Sequence, residues 1–346
     1  MVIRLLEKSD IHDAKVLWKE AFNDSDAFID WYFKNKVLPG HSLGMFDGGL
    51  ISVVHLIPYR VSVQGRPFES MFIAGAATAK HRQGEGLMRT LLLKALWLMK
   101  ERRILITYLY PFKHSFYEKF GWTAYSYVYK KSTAAAKRSA KSIVIETDDY
   151  RILNPIYRKM MSFFDGYVIR GQREWQWRLS ELAADGGKTA VLVKNNEATA
   201  YMLYYGGKTA EIIEMVYMDE KDIHSLLAYV LGGGAKRADY FIPALSGEHA
   251  EKHAMARIVD ARGLLAAFGA EDLMEEIDIT DDFAQWNNTQ KTHREALSIN
   301  KLTEIVHRGL YLHDLDIYAD NRLYSKLCCK TKDIFSNQNT CIFEAF

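Results

Sequence analysis

The chain has 346 residues, 49% of them hydrophobic and 25% charged, the composition of a folded protein of two or three domains rather than a disordered or fibrous one. A formal net charge of +2 without a dense Lys/Arg stripe argues against a polyanionic partner, so no nucleic acid is expected. Met1-Val2-Ile3-Arg4 reaches charge too early for a signal peptide, and no run approaches the roughly 20 apolar residues of a membrane span; a cytoplasmic protein that does not enter a membrane is expected.

Ser9 is placed to cap a helix over 10–22, with Ile11, Ala14, Val16, Leu17 and Phe22 on its apolar stripe. A second helix over 26–36 carries Phe28, Ile29, Trp31, Tyr32 and Phe33. After Pro39-Gly40 the pattern turns to strands at 43–46, 50–57, 60–63 and 68–78, with turns at Asp47-Gly48-Gly49 and Gln64-Gly65. A helix from 87 to 99, a strand over 104–110, a short helix over 114–120 and a strand over 123–129 complete a first α/β unit. Residues 131–142, rich in Ala, Ser and Lys, read as a boundary.

The second segment opens with a helix after Asp148-Asp149, then strands at 190–194, 199–205 and 210–217 and a helix over 223–231. Gly232-Gly233-Gly234 then leads to a strand at 240–244 and reads as a plain connection. A third segment starts near Ala254, with a strand over 257–260, a helix over 261–268, an acid-rich run over 271–282 read as solvated, an amphipathic helix over 299–309 and alternating apolar residues over 340–346.

Gln83-Gly84-Glu85-Gly86-Leu87-Met88 lies between an apolar strand and an apolar helix. At the mouth of a helix, backbone N–H groups lacking intrahelical partners and the positive end of the dipole can hold a diphosphate with main chain alone. A Walker loop would end in Gly-Lys-Ser/Thr, and a Rossmann turn would have a small residue where Arg89 stands; neither fits. What remains, Gln/Arg-x-x-Gly-x-(small or apolar), resembles the coenzyme A loop of GNAT-type N-acetyltransferases.

Taken with Gly75-Ala76-Ala77-Thr78-Ala79 and with Pro111-Phe112-Lys113-His114-Ser115-Phe116-Tyr117-Glu118-Lys119-Phe120-Gly121-Trp122, the chain resembles the Eis-like (enhanced intracellular survival) branch of that family. The resemblance implies an α/β (α+β) fold in three parts: a catalytic GNAT domain over 1–130, a second GNAT-like domain without the loop over 143–253, and a sterol-carrier-protein-like domain over 254–346. It also implies a homo-oligomer, a hexamer in the relatives.

The same resemblance assigns roles. Tyr117 matches the family's general acid, whose phenol, with a pKa near 10, can stay protonated at neutral pH and serve the departing CoA thiolate. Phe346 would act through its C-terminal carboxylate as general base for the attacking amine. Ala76, Ala77 and Thr78 would offer backbone to the pantetheine arm of acetyl-CoA. Gln83, Gly84, Glu85, Gly86, Leu87, Met88 and Arg89 would hold its diphosphate, and Phe112 and Lys113 would flank the thioester. Two departures from the family pattern stand here: Lys80 where proline is common, and Met88 at the second small position of the loop.

For the acceptor, a small-molecule or peptide amine, Asp26 and Glu344 are candidate acidic contacts and Trp31 a candidate apolar wall, with Asp24 and Asp30 as further acids. No metal is expected: His249 and His253 share helical spacing, but Glu251 is misplaced for a zinc-protease motif. Cys328, Cys329 and Cys341 give no disulfide framework. One alternative stays open on sequence, a catalytically inactive GNAT-like protein that binds CoA, or an apolar ligand through its sterol-carrier-like part.

Overall fold

A computed structural model describes residues 1–38, 40–137, 142–244, 250–289, 296–308 and 339–340 of the chain. It begins with β1 (Val2–Leu5), α1 (Ile11–Ala21) and α2 (Asp26–Asn35), where Ser25 caps α2 by accepting from the Phe28 N–H. A meander follows, β2 (Ser42–Phe46), β3 (Leu50–Val63) and β4 (Arg66–Thr78), and α3 (Leu87–Glu101) crosses over to β5 (Ile106–Leu109). Next come α4 (His114–Glu118) and β6 (Thr123–Ala124).

The second half of the described chain contains β7 (Tyr127–Thr133), β8 (Ser142–Glu146), α5 (Tyr150–Met161), β9 (Phe164–Asp165), α6 (Gln172–Ala184), β10 (Lys188–Lys194), β11 (Glu197–Tyr205) and β12 (Thr209–Tyr217). After α7 (Glu220–Gly232) come β13 (Arg237–Ala244), β14 (Glu251–Lys252) and β15 (Met255–Ile258). The last elements are α8 (Ala261–Phe268), α9 (Leu273–Glu276), β16 (Asp278–Thr280), β17 (Ala296–Ser298), α10 (Ile299–Arg308) and β18 (Asn339–Thr340).

Two seven-stranded sheets organise these elements, in the orders β1-β2-β3-β4-β5-β15-β6 and β14-β7-β13-β12-β11-β10-β8. Each is an antiparallel meander joined to one parallel crossover, β4-α3-β5 in the first and β12-α7-β13 in the second. In β3 the side chains alternate: Val53 and Ile57 meet α1 and α2 through Trp18, Tyr32 and Phe33, while Val54 and Leu56 meet α3 through Leu91, Leu92 and Leu96.

The strands expected at 50–57 and 60–63 are one continuous strand. Pro58 is tolerated because β2 pairs no further along β3 than His55, so the missing N–H faces an edge rather than a ladder. The expected strand over 123–129 is two, and the boundary expected to open at 131 falls inside β7. The units also exchange strands. Met255–Ile258 lies at the start of the third expected segment, yet it inserts between β5 and β6, while β7 leaves the first unit to pair with β13 and β14.

The acid-rich run is not uniformly solvated either. Asp278 and Asp281 are buried, and Asp281 receives a hydrogen bond from Arg257 at 2.6 Å. No helix among the described residues is long and apolar enough to cross a membrane.

Candidate active site

The site grows from the point where β4 and β5 separate. Their parallel pairing ends at Ile73 and Leu109, but β4 runs on to Thr78, still paired with β3 at Ser52. Residues 74–78 therefore present a backbone edge with no strand against it among the described residues, suited to an extended ligand arm. A bulge sets this divergence: pairing steps from His55–Ala74 to Val53–Ala77, leaving Gly75 and Ala76 together opposite Val54. Gly75 has φ +55°, and a Cβ there would overlap the Trp18 ring, so only glycine fits.

Beyond Thr78 the chain turns through a 3₁₀ segment, Lys80–Arg82, into the loop. Gly84 and Gly86 have φ +88° and +77°, and a Cβ at either would meet nothing within 4 Å. These glycines are required by backbone conformation rather than by crowding within the protein itself. No acidic residue occupies the first turn of α3, so its N–H groups and dipole face the cleft without a competing carboxylate. Arg82 braces the loop by donating to Glu85 at 2.8 Å and to Asp47 at 3.0 Å.

A cleft of about 1010 Å³ gathers Ala76, Ala77, Thr78, Gln83, Gly84, Gly86, Leu87, Met88, Arg89, Phe112 and Tyr117 from the expected set. Glu85 and Lys113 are not on its wall: Glu85 is turned to Arg82, and Lys113 is the residue before α4. Lys80, Lys119, Phe22 and Phe116 also line it and were not assigned to the site from sequence. Lys80, Arg89 and Lys119 have no ion-pair partner among the described residues, which leaves three cations for phosphate groups.

Tyr117 is 4% exposed and sits among Phe112, Phe116 and Trp122, with ring centroids 5.8, 5.0 and 6.1 Å away. Burial pushes its phenol up to about 12. At neutral pH it is a proton-bearing donor in an apolar setting.

A second cleft of about 450 Å³ adjoins the first: Phe22 lines both, and the consecutive residues Gly75 and Ala76 line one each. One wall is aromatic, with Trp18, Phe28, Tyr32, Tyr110, Tyr205 and Phe241. Its carboxylates are Asp24, Glu181, Asp185 and Glu211, and its one lining cation among the described residues, Arg178, donates to Glu214 at 3.2 Å. Asp24 accepts from the Trp18 indole at 2.8 Å, which fixes both.

Asp26 and Trp31, expected as acceptor contacts, lie elsewhere. Asp26 pairs with Lys19 on the surface, and Trp31 donates to Ser180 on α6 at 3.0 Å, so it joins the two units. Glu344 and Phe346 lie outside the described residues, as do the three cysteines and His249. His253 does line the second cleft, between the rings of Tyr110 and Phe241, and burial lowers its pKa to about 4.

Residues 2–125 match the family model for an acetyltransferase (GNAT) domain. This part of the chain is a GNAT N-acetyltransferase domain, and the residues that line the first cleft all fall within it.

Several solved structures share the whole architecture. A probable N-acyltransferase from Enterococcus faecalis V583 aligns with a TM-score of 0.80 at 17% identity, covering 100% of this chain and 99% of its own. A GCN5-related N-acetyltransferase from Anabaena variabilis gives 0.77 at 15% identity, and Eis1 from Mycobacterium abscessus gives 0.71 at 15%, each covering 100% of both chains. Likeness at these identities concerns the fold. No curated protein matches the chain by sequence.

Proposed function

We propose that this enzyme transfers an acetyl group from acetyl-CoA to a primary amine by direct attack in a ternary complex. The observation that carries the reading is the junction of the two clefts at Gly75 and Ala76, with Tyr117 on the wall of the first. Pantetheine would lie along the open edge of β4 and the diphosphate at the mouth of α3, near Lys80, Arg89 and Lys119. The thioester would then reach the bulge, where the second cleft presents the amine.

In the reaction the amine nitrogen bonds to the acyl carbon, the C–S bond breaks, and the amine loses one proton. Tyr117 meets the charge that develops on sulfur. A phenol held near 12 is a weaker acid than a free thiol of about 8.5, but the same apolar surroundings raise the thiol as well. Donation from the phenol therefore strengthens as the thiolate forms. The base is assigned to the C-terminal carboxylate of Phe346 on the family resemblance alone, as are the sterol-carrier-like character of residues 254–346 and a hexameric assembly.

The acceptor is proposed to be a cationic amine with an organic body, because the second cleft combines carboxylates with aromatic walls. Following free thiol while acetyl-CoA is mixed with polyamines, aminoglycosides and lysine peptides tests this. Amine-dependent CoA release is expected, with Asp24→Asn raising KM for the amine about tenfold, less so at high salt. Bound CoA without release for any amine would favour the inactive binding protein. A one-residue extension after Phe346 that leaves turnover intact would remove its carboxylate from the mechanism.

A further inference from the structure

Arg257 is a costly residue to find inside a core. β15 carries it into the first sheet opposite Thr107, on the face shared by Met255 and Val259, and its side chain is fully buried. One nitrogen, Nη2, donates to Asp281 at 2.6 Å, while Nε and Nη1 have no hydrogen-bond partner among the described residues. The guanidinium lies 5.4 Å from the Trp122 ring and 5.9 Å from that of Phe283.

Its position is legible at Gly121. That glycine has φ +85°, and a Cβ there would overlap the guanidinium and come within 3.1 Å of Ile299. The chain thus leaves the end of α4 through a turn shaped around an arginine from a distant strand. From α10, Asn300 donates to the Trp122 carbonyl at 3.0 Å. The turn is tied directly to the proposed acid, because the N–H groups of Phe120 and Trp122 donate to the Tyr117 carbonyl at 2.9 and 3.3 Å.

We propose that Arg257, held by Asp281 and assisted by Asn300, is a positioning residue for Tyr117, fixing the turn at Gly121 and Trp122 from which the phenol is aimed at the cleft. This rests on the reading of Tyr117 as the group that serves the departing thiolate. It gives residues past 254 a part in catalysis that does not depend on the end of the chain. Asp281 is the anchor, since it also accepts from the Phe283 and Ala284 N–H groups at 3.1 and 2.9 Å and from Asn287 at 2.8 Å.

The test is a double-mutant cycle on the full chain with acetyl-CoA and spermidine, or with the best amine of the panel above. Arg257→Met is expected to lower kcat about 10²-fold, and Asn300→Ala about tenfold, with KM for acetyl-CoA changed less than twofold; Arg257→Lys should recover part of the loss. In a Tyr117→Phe background neither substitution should lower kcat further, whereas a general weakening of the fold would give additive losses. Additive losses, or native kcat in both single variants, overturn the proposal alone. Full activity of Tyr117→Phe, or no turnover with any amine, overturns the reading of Tyr117 and this proposal with it. If Arg257→Met does not fold, Asn300→Ala in the same cycle decides.

Discussion

Ile73 and Leu109 are the last paired residues of β4 and β5, and Ile212 and Tyr240 hold the same place between β12 and β13. Both sheets therefore open after a parallel stretch of four residue pairs and lead into a helix, but the helix mouths differ. Asp219 caps α7 by accepting from the Lys221 N–H, Glu220 and Asp222 occupy its first turn, and Asp222 pairs with Lys194. Carboxylates already fill the place where a diphosphate would bind. Calorimetry with CoA should accordingly return one site per chain, abolished by Gly86→Asp, while Asp219→Ala leaves the count unchanged. A second site in the native protein would refute this.

Gly84 and Gly86 hold left-handed backbone with open space around the missing Cβ. An alanine at either position meets no protein atom, so its effect is conformational, about 1–2 kcal/mol per residue. Gly86→Ala should weaken CoA binding roughly tenfold by fluorescence titration while the melting temperature falls by only a few degrees. An unchanged Kd would mean that the loop does not have to hold this conformation to bind.

What the sequence disclosed and what it hid follow from how far each signal reaches. Gly84, Gly86 and the apolar strand and helix around them form a contiguous local signal, and the cleft contains nearly all the residues expected of it. Asp26 and Trp31 lie off both clefts, because residue type alone does not say that Asp26 pairs with Lys19 or that α6 of the other unit covers Trp31 at Ser180. The exchange of β7 and β15 was invisible, since the short run Met255–Ile258 carries no mark of which sheet it completes. Asp281 sits in a run read as solvated and Arg257 at the start of a short strand; only tertiary pairing makes them core residues.

Tyr117 also sets an expectation for alkaline pH. Its folded pKa, about 12, lies above the value near 10 of an unfolded chain, so the folded state retains the proton longer. Its contribution to stability is complete below pH 10 and is lost as pH rises through 10 toward 12. The donor likewise stays protonated across the working range, so kcat should show no alkaline loss from this group below about pH 10. Tyr117→Phe should lower kcat on the order of 10²-fold or more at every pH with CoA affinity nearly intact. A descending limb near pH 9 that disappears in this variant would contradict the burial of the phenol.

At acid pH the buried histidines draw stability down, opposed in part by the buried carboxyl of Asp165, whose pKa burial raises to about 7. His55 donates or accepts at Ser42 across 2.7 Å with no partner for Nε2 among the described residues, and His307 spans Tyr108 at 2.8 Å and the Thr303 carbonyl at 2.9 Å. The carbonyl can only accept, so Nδ1 of His307 carries the proton and Nε2 receives the Tyr108 hydroxyl. Burial lowers His55 to about 3 and His307 to about 4, both below the unfolded value of 6.5. An unfolded chain thus takes up these protons first. The stabilisation is present above pH 6.5 and drains away as pH falls from there toward 4, by on the order of 3 kcal/mol for each ring. Thermal melts between pH 7 and pH 4 should show a steep decline, and His307→Gln, which can still donate to the Thr303 carbonyl and accept from Tyr108, should flatten it while lowering the melting temperature at pH 7. Parallel pH profiles for the native and His307→Gln proteins would show that His307 is not a neutral, buried group in the folded state.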